Sequence, residues 1–103
     1  MSQTHEVWDA KQAGSTETRT FDYTSQLAVG ETLSTPTITA AVYSGVDASP
    51  SAILSGSASA STPRVSQAFT AGTVGVIYKI TCSCTTSASQ TLIKTAFLAI
   101  LPV

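Results

Sequence analysis

Residues 76–85, "VIYKITCSCT", alternate side-chain character with a period of two, and residues 91–101, "TLIKTAFLAIL", follow after a short polar break. A period of two suits an extended strand, whose successive side chains leave opposite faces, and it is incompatible with a helical stripe of period 3.6. Two such runs joined by Ser87-Ala88-Ser89-Gln90 predict a hairpin with a short loop. On the first strand Val76, Tyr78, Ile80, Cys82 and Cys84 share one face, and Ile77, Lys79, Thr81, Ser83 and Thr85 share the other. The first row is apolar throughout, so it is the predicted core-facing side.

The same alternation recurs upstream. "TRTFDYT" sets Phe21 and Tyr23 against Thr20, Asp22 and Thr24. "TPTITAAVY" sets Ile38, Ala40 and Val42 against Thr37, Thr39, Ala41 and Tyr43, with Pro36 suited to a strand start. "RVSQAFT" sets Val65, Gln67 and Phe69 against Arg64, Ser66 and Ala68. Residues 52–54 read as a short strand, and the small-residue segment 55–63 as a loop or a weak edge strand. Gly30, the segment 45–50, Gly72 and Gly75 supply turns. Composition agrees: many Thr and Val and few Lys, Glu and Leu favour strands over helices. About seven short strands at regular spacing predict an all-β domain, an antiparallel immunoglobulin-like β-sandwich, with a small barrel as the alternative. Tyr78, near the start of a late strand after a Gly-containing corner, reads either as a tyrosine corner or as an ordinary amphipathic strand residue.

Residues 1–17 lack periodicity and contain a Gly14-centred joint, so they read as an extended N-terminal arm ahead of a domain over 18–103. Val7, Trp8 and Asp9 are the interface candidates of that arm. A large aromatic in a polar segment either folds back onto its own domain or docks on a neighbouring protein.

The chemistry available is sparse. The chain has two cysteines and one histidine, His5, and nothing spaced as a zinc motif, so no metal site or cofactor is expected. Nucleophilic catalysis needs a base and an orienting group, and His5 lies in the arm, so no catalytic residue is assigned. Cys82 and Cys84 read as small core hydrophobes, with a bridge to another subunit as the remaining alternative, because linking positions two apart on an extended strand would strain a disulfide. A net charge of −1 gives no basic footprint for nucleic acid or an anionic membrane. All six acids lie within the first 47 residues, whereas Arg64, Lys79 and Lys94 are the only charges after them. That asymmetry is either chance or complementarity between neighbouring copies. No apolar run reaches the length of a transmembrane helix and no signal peptide is visible, so a cytoplasmically made protein with reduced cysteines is expected.

The order of three pieces resembles the small fiber-tail adaptor proteins of tailed bacteriophages: "FDYTSQLAVGETLSTPTITA", then "VSQAFTAGTVGVIYKITCSCTTSASQT", then "AFLAILPV". The resemblance covers about four-fifths of the chain, residues 18–102. It implies an immunoglobulin-like virion protein of the neck or tail, not an enzyme, in a symmetric homo-oligomeric ring. The implied partners are other virion proteins: portal or connector, tail, and fibers. A capsid decoration protein with the same sandwich is the nearest alternative, and a cell-surface binding module a more distant one.

Overall fold

The alternating run around the cysteines forms the centre of the molecule. A computed structural model of the chain describes residues 5–102. Its strands are β1 (His5–Val7), β2 (Lys11–Gln12), β3 (Glu17–Asp22), β4 (Leu33–Ser44), β5 (Leu54–Ser61), β6 (Arg64–Phe69), β7 (Ile77–Thr86) and β8 (Thr91–Leu101). Two single 3-10 turns, Thr24–Gln26 and Pro50–Ile53, interrupt them, and no α-helix occurs among the described residues.

β7 and β8 form the predicted hairpin, with Cys82 opposite Lys94 and Tyr78 opposite Leu98. β4 flanks β7 antiparallel, and β1 and β2 lie successively along β8, parallel to it. The sheet order is therefore β1-β8-β7-β4, with β2 also on β8, and a second sheet is ordered β3-β6-β5. The inner faces of both sheets meet in one core. Phe21, Val65 and Phe69 come from the smaller sheet, and Tyr78, Ile80, Cys82, Leu98 and Ile100 from the larger. Each fully buried aliphatic or aromatic side chain contributes about 1.5–3 kcal/mol.

The regular parts of the chain follow the period-two reading, and the departures have local causes. Residues 52–54, read as a strand, divide between the 3-10 turn ending at Ile53 and the start of β5. The small-residue run 55–61 is the edge strand β5, whose register shifts between Ser55 and Ser59 around Gly56, at φ +73°. The carbonyls released there are collected by a buried side chain, since the Gln67 amide nitrogen donates to Ser55 O, Gly56 O and Ala68 O. Pro36 does not start β4. It sits within the strand at a bulge between Ser34 and Thr37, where a missing ladder donor costs least. At Gly72, φ +104°, a Cβ would come within 2.7 Å of the Ile100 side chain, so the β6–β7 corner needs glycine for both backbone and space.

The division expected between residues 17 and 18 falls inside β3, at its first residue pair. Residues 5–13 run beside β8 rather than away from the fold: after β1 the Trp8 N–H donates to Phe97 O at 3.0 Å, and after β2 the Ala13 N–H donates to Leu101 O at 2.9 Å.

Candidate interaction surface

The inner row of β7 is closed to chemistry. Val76, Tyr78, Ile80, Cys82 and Cys84 are all buried. Cys82 and Cys84 are free thiols, and burial pushes both up in pKa, Cys84 to about 12. A thiol held protonated near neutral pH is a poor nucleophile or ligand. Its burial also keeps it from a thiol on another subunit. The Tyr23 hydroxyl donates to Cys82 O at 3.1 Å across the sandwich, and burial, followed by this hydrogen bond, raises its pKa. Among the described residues no group of three His, Cys, Asp or Glu side chains is placed to hold a metal ion.

Tyr78 does more than fill space. Its hydroxyl accepts from the Thr73 N–H at 2.9 Å and donates to Asp47 Oδ2 at 2.6 Å. This ties the β6–β7 corner to the β4–β5 loop. Burial and then the Asp47 carboxylate raise the Tyr78 pKa, and the same hydrogen bond lowers that of Asp47.

The arm candidates diverge. Trp8 turns inward and is half-buried, with its ring centroid 4.9 Å from that of Phe21 and 5.5 Å from that of Phe69. The Arg19 guanidinium lies 5.9 Å from the Trp8 ring centroid and donates to Asp9 O at 2.8 Å. Asp9 is exposed, and Val7 points outward at 81% exposure. Two positions beyond Asp9, the Lys11 side chain is buried, and its Nζ donates to Gln12 O at 2.8 Å and Ala71 O at 2.7 Å. Desolvation lowers its pKa, partly offset by Glu17. Two short strands, one ring and one buried ammonium thus fasten this segment. Sequence periodicity could not find them, because two single anchors three positions apart, with pairings of only three and two residues, are too short to show a period.

The outward face of the larger sheet supplies a surface of which the sequence reading named only Val7 and Trp8. Val7, Trp8, Tyr43, Ile77, Phe97 and Ala99 line a hollow of about 330 Å³. Tyr43 reaches it from the bulge between Val42 and Ser44, and its ring centroid lies 4.7 Å from that of Phe97. Tyr43 is 64% exposed. The available signal was Ile77, an apolar residue on the outer row of β7, together with Phe97 and Ala99 spaced two apart on β8. Lys79, exposed on the same face and opposite Phe97 in register, is its nearest charge along β7.

The uneven charge of the two sequence halves does not become two charged faces. Arg19 pairs with Glu17 at 2.7 Å within β3, and Arg64 lies 3.6 Å from Asp22 across the β3–β6 ladder. The second-half strand β7 lies between the first-half strand β4 and β8.

The most open apolar feature among the described residues is thus this hollow on the outer face of the larger sheet. Neither the curated proteins nor the solved structures yield a match. No helix among the described residues is long and apolar enough to cross a membrane. The sequence model of the podophage GP4 fiber-tail adaptor protein gp77 matches residues 11–99, from β2 to near the end of β8, and the chain belongs to that family of structural bacteriophage tail proteins.

Proposed function

We propose that this fiber-tail adaptor acts at the neck or tail of the virion, where it joins the connector or tail to fibers by protein–protein binding alone. The family match over residues 11–99 carries this reading. The apolar hollow is the chemical counterpart of that role, a surface that gains by being covered. An immunoglobulin-like arrangement accords with the strand pairing, in which β3, β6 and β5 make one sheet and β4, β7 and β8 the other, as B, E, D and C, F, G do in that fold. The Tyr78 hydroxyl bond to Thr73 N–H, at the corner before β7, supports it further. The arrangement in the particle is a symmetric ring of copies, with portal or connector on one side and fibers on the other. The protein is made in the host cytoplasm and incorporated during assembly.

Electron microscopy of particles lacking this protein tests the reading. The expected particles have filled heads and tails without fibers. Particles with fibers in place but fragile capsids would overturn it in favour of a decoration protein.

A further inference from the structure

We propose that the free edge of β4, over residues 37–42, receives an extended segment of another protein of the particle as an added strand. The proposal rests on the adaptor reading, which requires an unlike partner, and names the contact made with it. Backbone bonding fixes which groups of β4 are free. In an antiparallel pair, alternate residues bond the partner strand, and those between turn their N–H and C=O groups to the other side. The Ile100 N–H donates to Val76 O at 3.2 Å and the Thr86 N–H to Gln90 O at 2.8 Å, so the even-numbered positions of β7 bond toward β8. Lys79, Thr81 and Ser83 are left to bond β4, through Ala41, Thr39 and Thr37. Ile38, Ala40 and Val42 therefore turn their N–H and C=O groups away from the sheet, and no hydrogen bond among the described residues reaches those groups.

The other edges are closed or guarded. β1 and β2 cover β8. β3 carries Glu17, Arg19 and Asp22. β5 breaks register beside Gly56 and gives the Ser55 and Gly56 carbonyls to Gln67. β4 has no charged residue over its length, and its two register shifts, with Pro36 at the first, bound the regular stretch 37–42. A regular, uncharged, unpaired edge is a template for an incoming strand. Its side chains state what that strand must be. Ile38, Ala40 and Val42 point to the core but are only partly buried, as are Ala58 and Ala60 on β5, which packs beside β4 and is also uncharged. The occupant is therefore an uncharged segment of about six residues, roughly 20 Å long, with small or branched apolar side chains at alternate positions. In variable-type immunoglobulin sandwiches the corresponding edge takes further strands, so the architecture leaves room for one. Main-chain bonds supply the affinity in such an addition, and the alternate side chains the specificity. Two β4 edges pairing with each other would make a self-complementary contact that closes at two copies and reaches no unlike partner.

Photo-crosslinking in assembled particles tests this, with p-benzoylphenylalanine replacing the exposed Thr39 of the full chain. The expected product joins this chain to an unlike virion protein, at an uncharged extended segment. A product only with another copy of this chain, a product at a helical or charged segment, or no product would each overturn the contact. Ala40→Pro removes an outward N–H that the β4–β7 ladder does not use, at an edge position where proline is tolerated. It is expected to lower incorporation into particles by about tenfold, the equivalent of one hydrogen bond. Thr39→Lys leaves every backbone donor in place, blunts the edge with charge, and is expected to act in the same direction. Thermal unfolding of each purified variant verifies its fold, and wild-type incorporation of folded Thr39→Lys would overturn the contact. The two proposals fail separately. If particles lacking this protein have no fibers yet Thr39 crosslinks to nothing, the adaptor reading stands and the edge contact falls. If the crosslinked protein is the capsid shell, the edge contact stands and the adaptor reading falls.

Discussion

β7 and the segment from His5 to Ala13 both belong to the larger sheet, yet they are held by different means. β7 is central, paired on both sides over its length, and its inner face is a continuous apolar row. The N-terminal segment is an edge, paired in two short parallel stretches and pinned between them by the Trp8 ring and, at the start of the second, by the buried Lys11 ammonium. The first is stabilised by many equivalent small contributions, and the second by a few large ones. An edge built this way can be strong without a pattern in its sequence, and it leaves alternate positions such as Val7 free to line the outer hollow.

Truncating the central strand should have the largest effect. Ile80→Ala is expected to cost about 2–5 kcal/mol, as for other buried aliphatic truncations, read as a fall in the denaturation midpoint at constant slope. The comparison is sharpest at Trp8. If the edge is pinned as described, Trp8→Ala costs about 2–3 kcal/mol, less than a wholly buried ring because this one is half-buried. A loss under about 0.5 kcal/mol, typical of surface substitutions, would show the segment to be an ornament on an independent domain beginning near residue 18.

These two regions also mark what was legible in the sequence. The β7–β8 hairpin, the inward row from Val76 to Cys84 and the strands carrying Phe21 and Val65 could be read because one face of each is buried and the other solvated, which writes a period of two into the chain. The N-terminal edge could not, because Trp8 and Lys11 act as single anchors whose partners, Phe21, Phe69 and Ala71, lie on distant strands and loops. A lysine buried by two carbonyls looks in sequence like any surface lysine. The hollow escaped for a third reason. Ile77 and Tyr43 stand on the rows set opposite the core, and it is the pairing of distant strands that gathers them with Phe97, Ala99 and the N-terminal edge. Of the three residues singled out in the arm, Val7 lies in the hollow, Trp8 forms part of its wall while packing on the core, and Asp9 stands outside it.

A smaller effect is expected where the two loops at the hollow's end are tied together. Tyr78→Phe removes one hydroxyl and leaves the Thr73 N–H and the Asp47 carboxylate each short of a partner. The expected cost is about 1–2 kcal/mol, because the ring still packs and water reaches the exposed side of the loops. Faster amide exchange confined to the 45–50 and 71–75 segments would accompany it. Exchange spread evenly over β7 would mean that the hydroxyl serves the core rather than the corner.

The smallest effect is also the most selective for β7's inner row. Burial raises the Cys84 pKa from 9.0 to about 12, so between those values the unfolded chain gives up a proton that the folded chain retains. The unfolded state then binds fewer protons, and stability must fall as pH rises through that window, having been fully present below it. Cys82 and the two buried tyrosines, all raised, add to the decline, while Lys11, lowered by burial, opposes it. Cys84→Ala removes one contributor without adding a polar atom, so its cost relative to wild type should shrink as pH climbs above about 9. Thermal unfolding of both proteins at pH values on either side of that point, under reducing conditions, measures the difference. A cost that stays constant with pH would mean that the Cys84 thiol titrates alike in the folded and unfolded chain, and that water reaches the inner face of β7 as it reaches the edge.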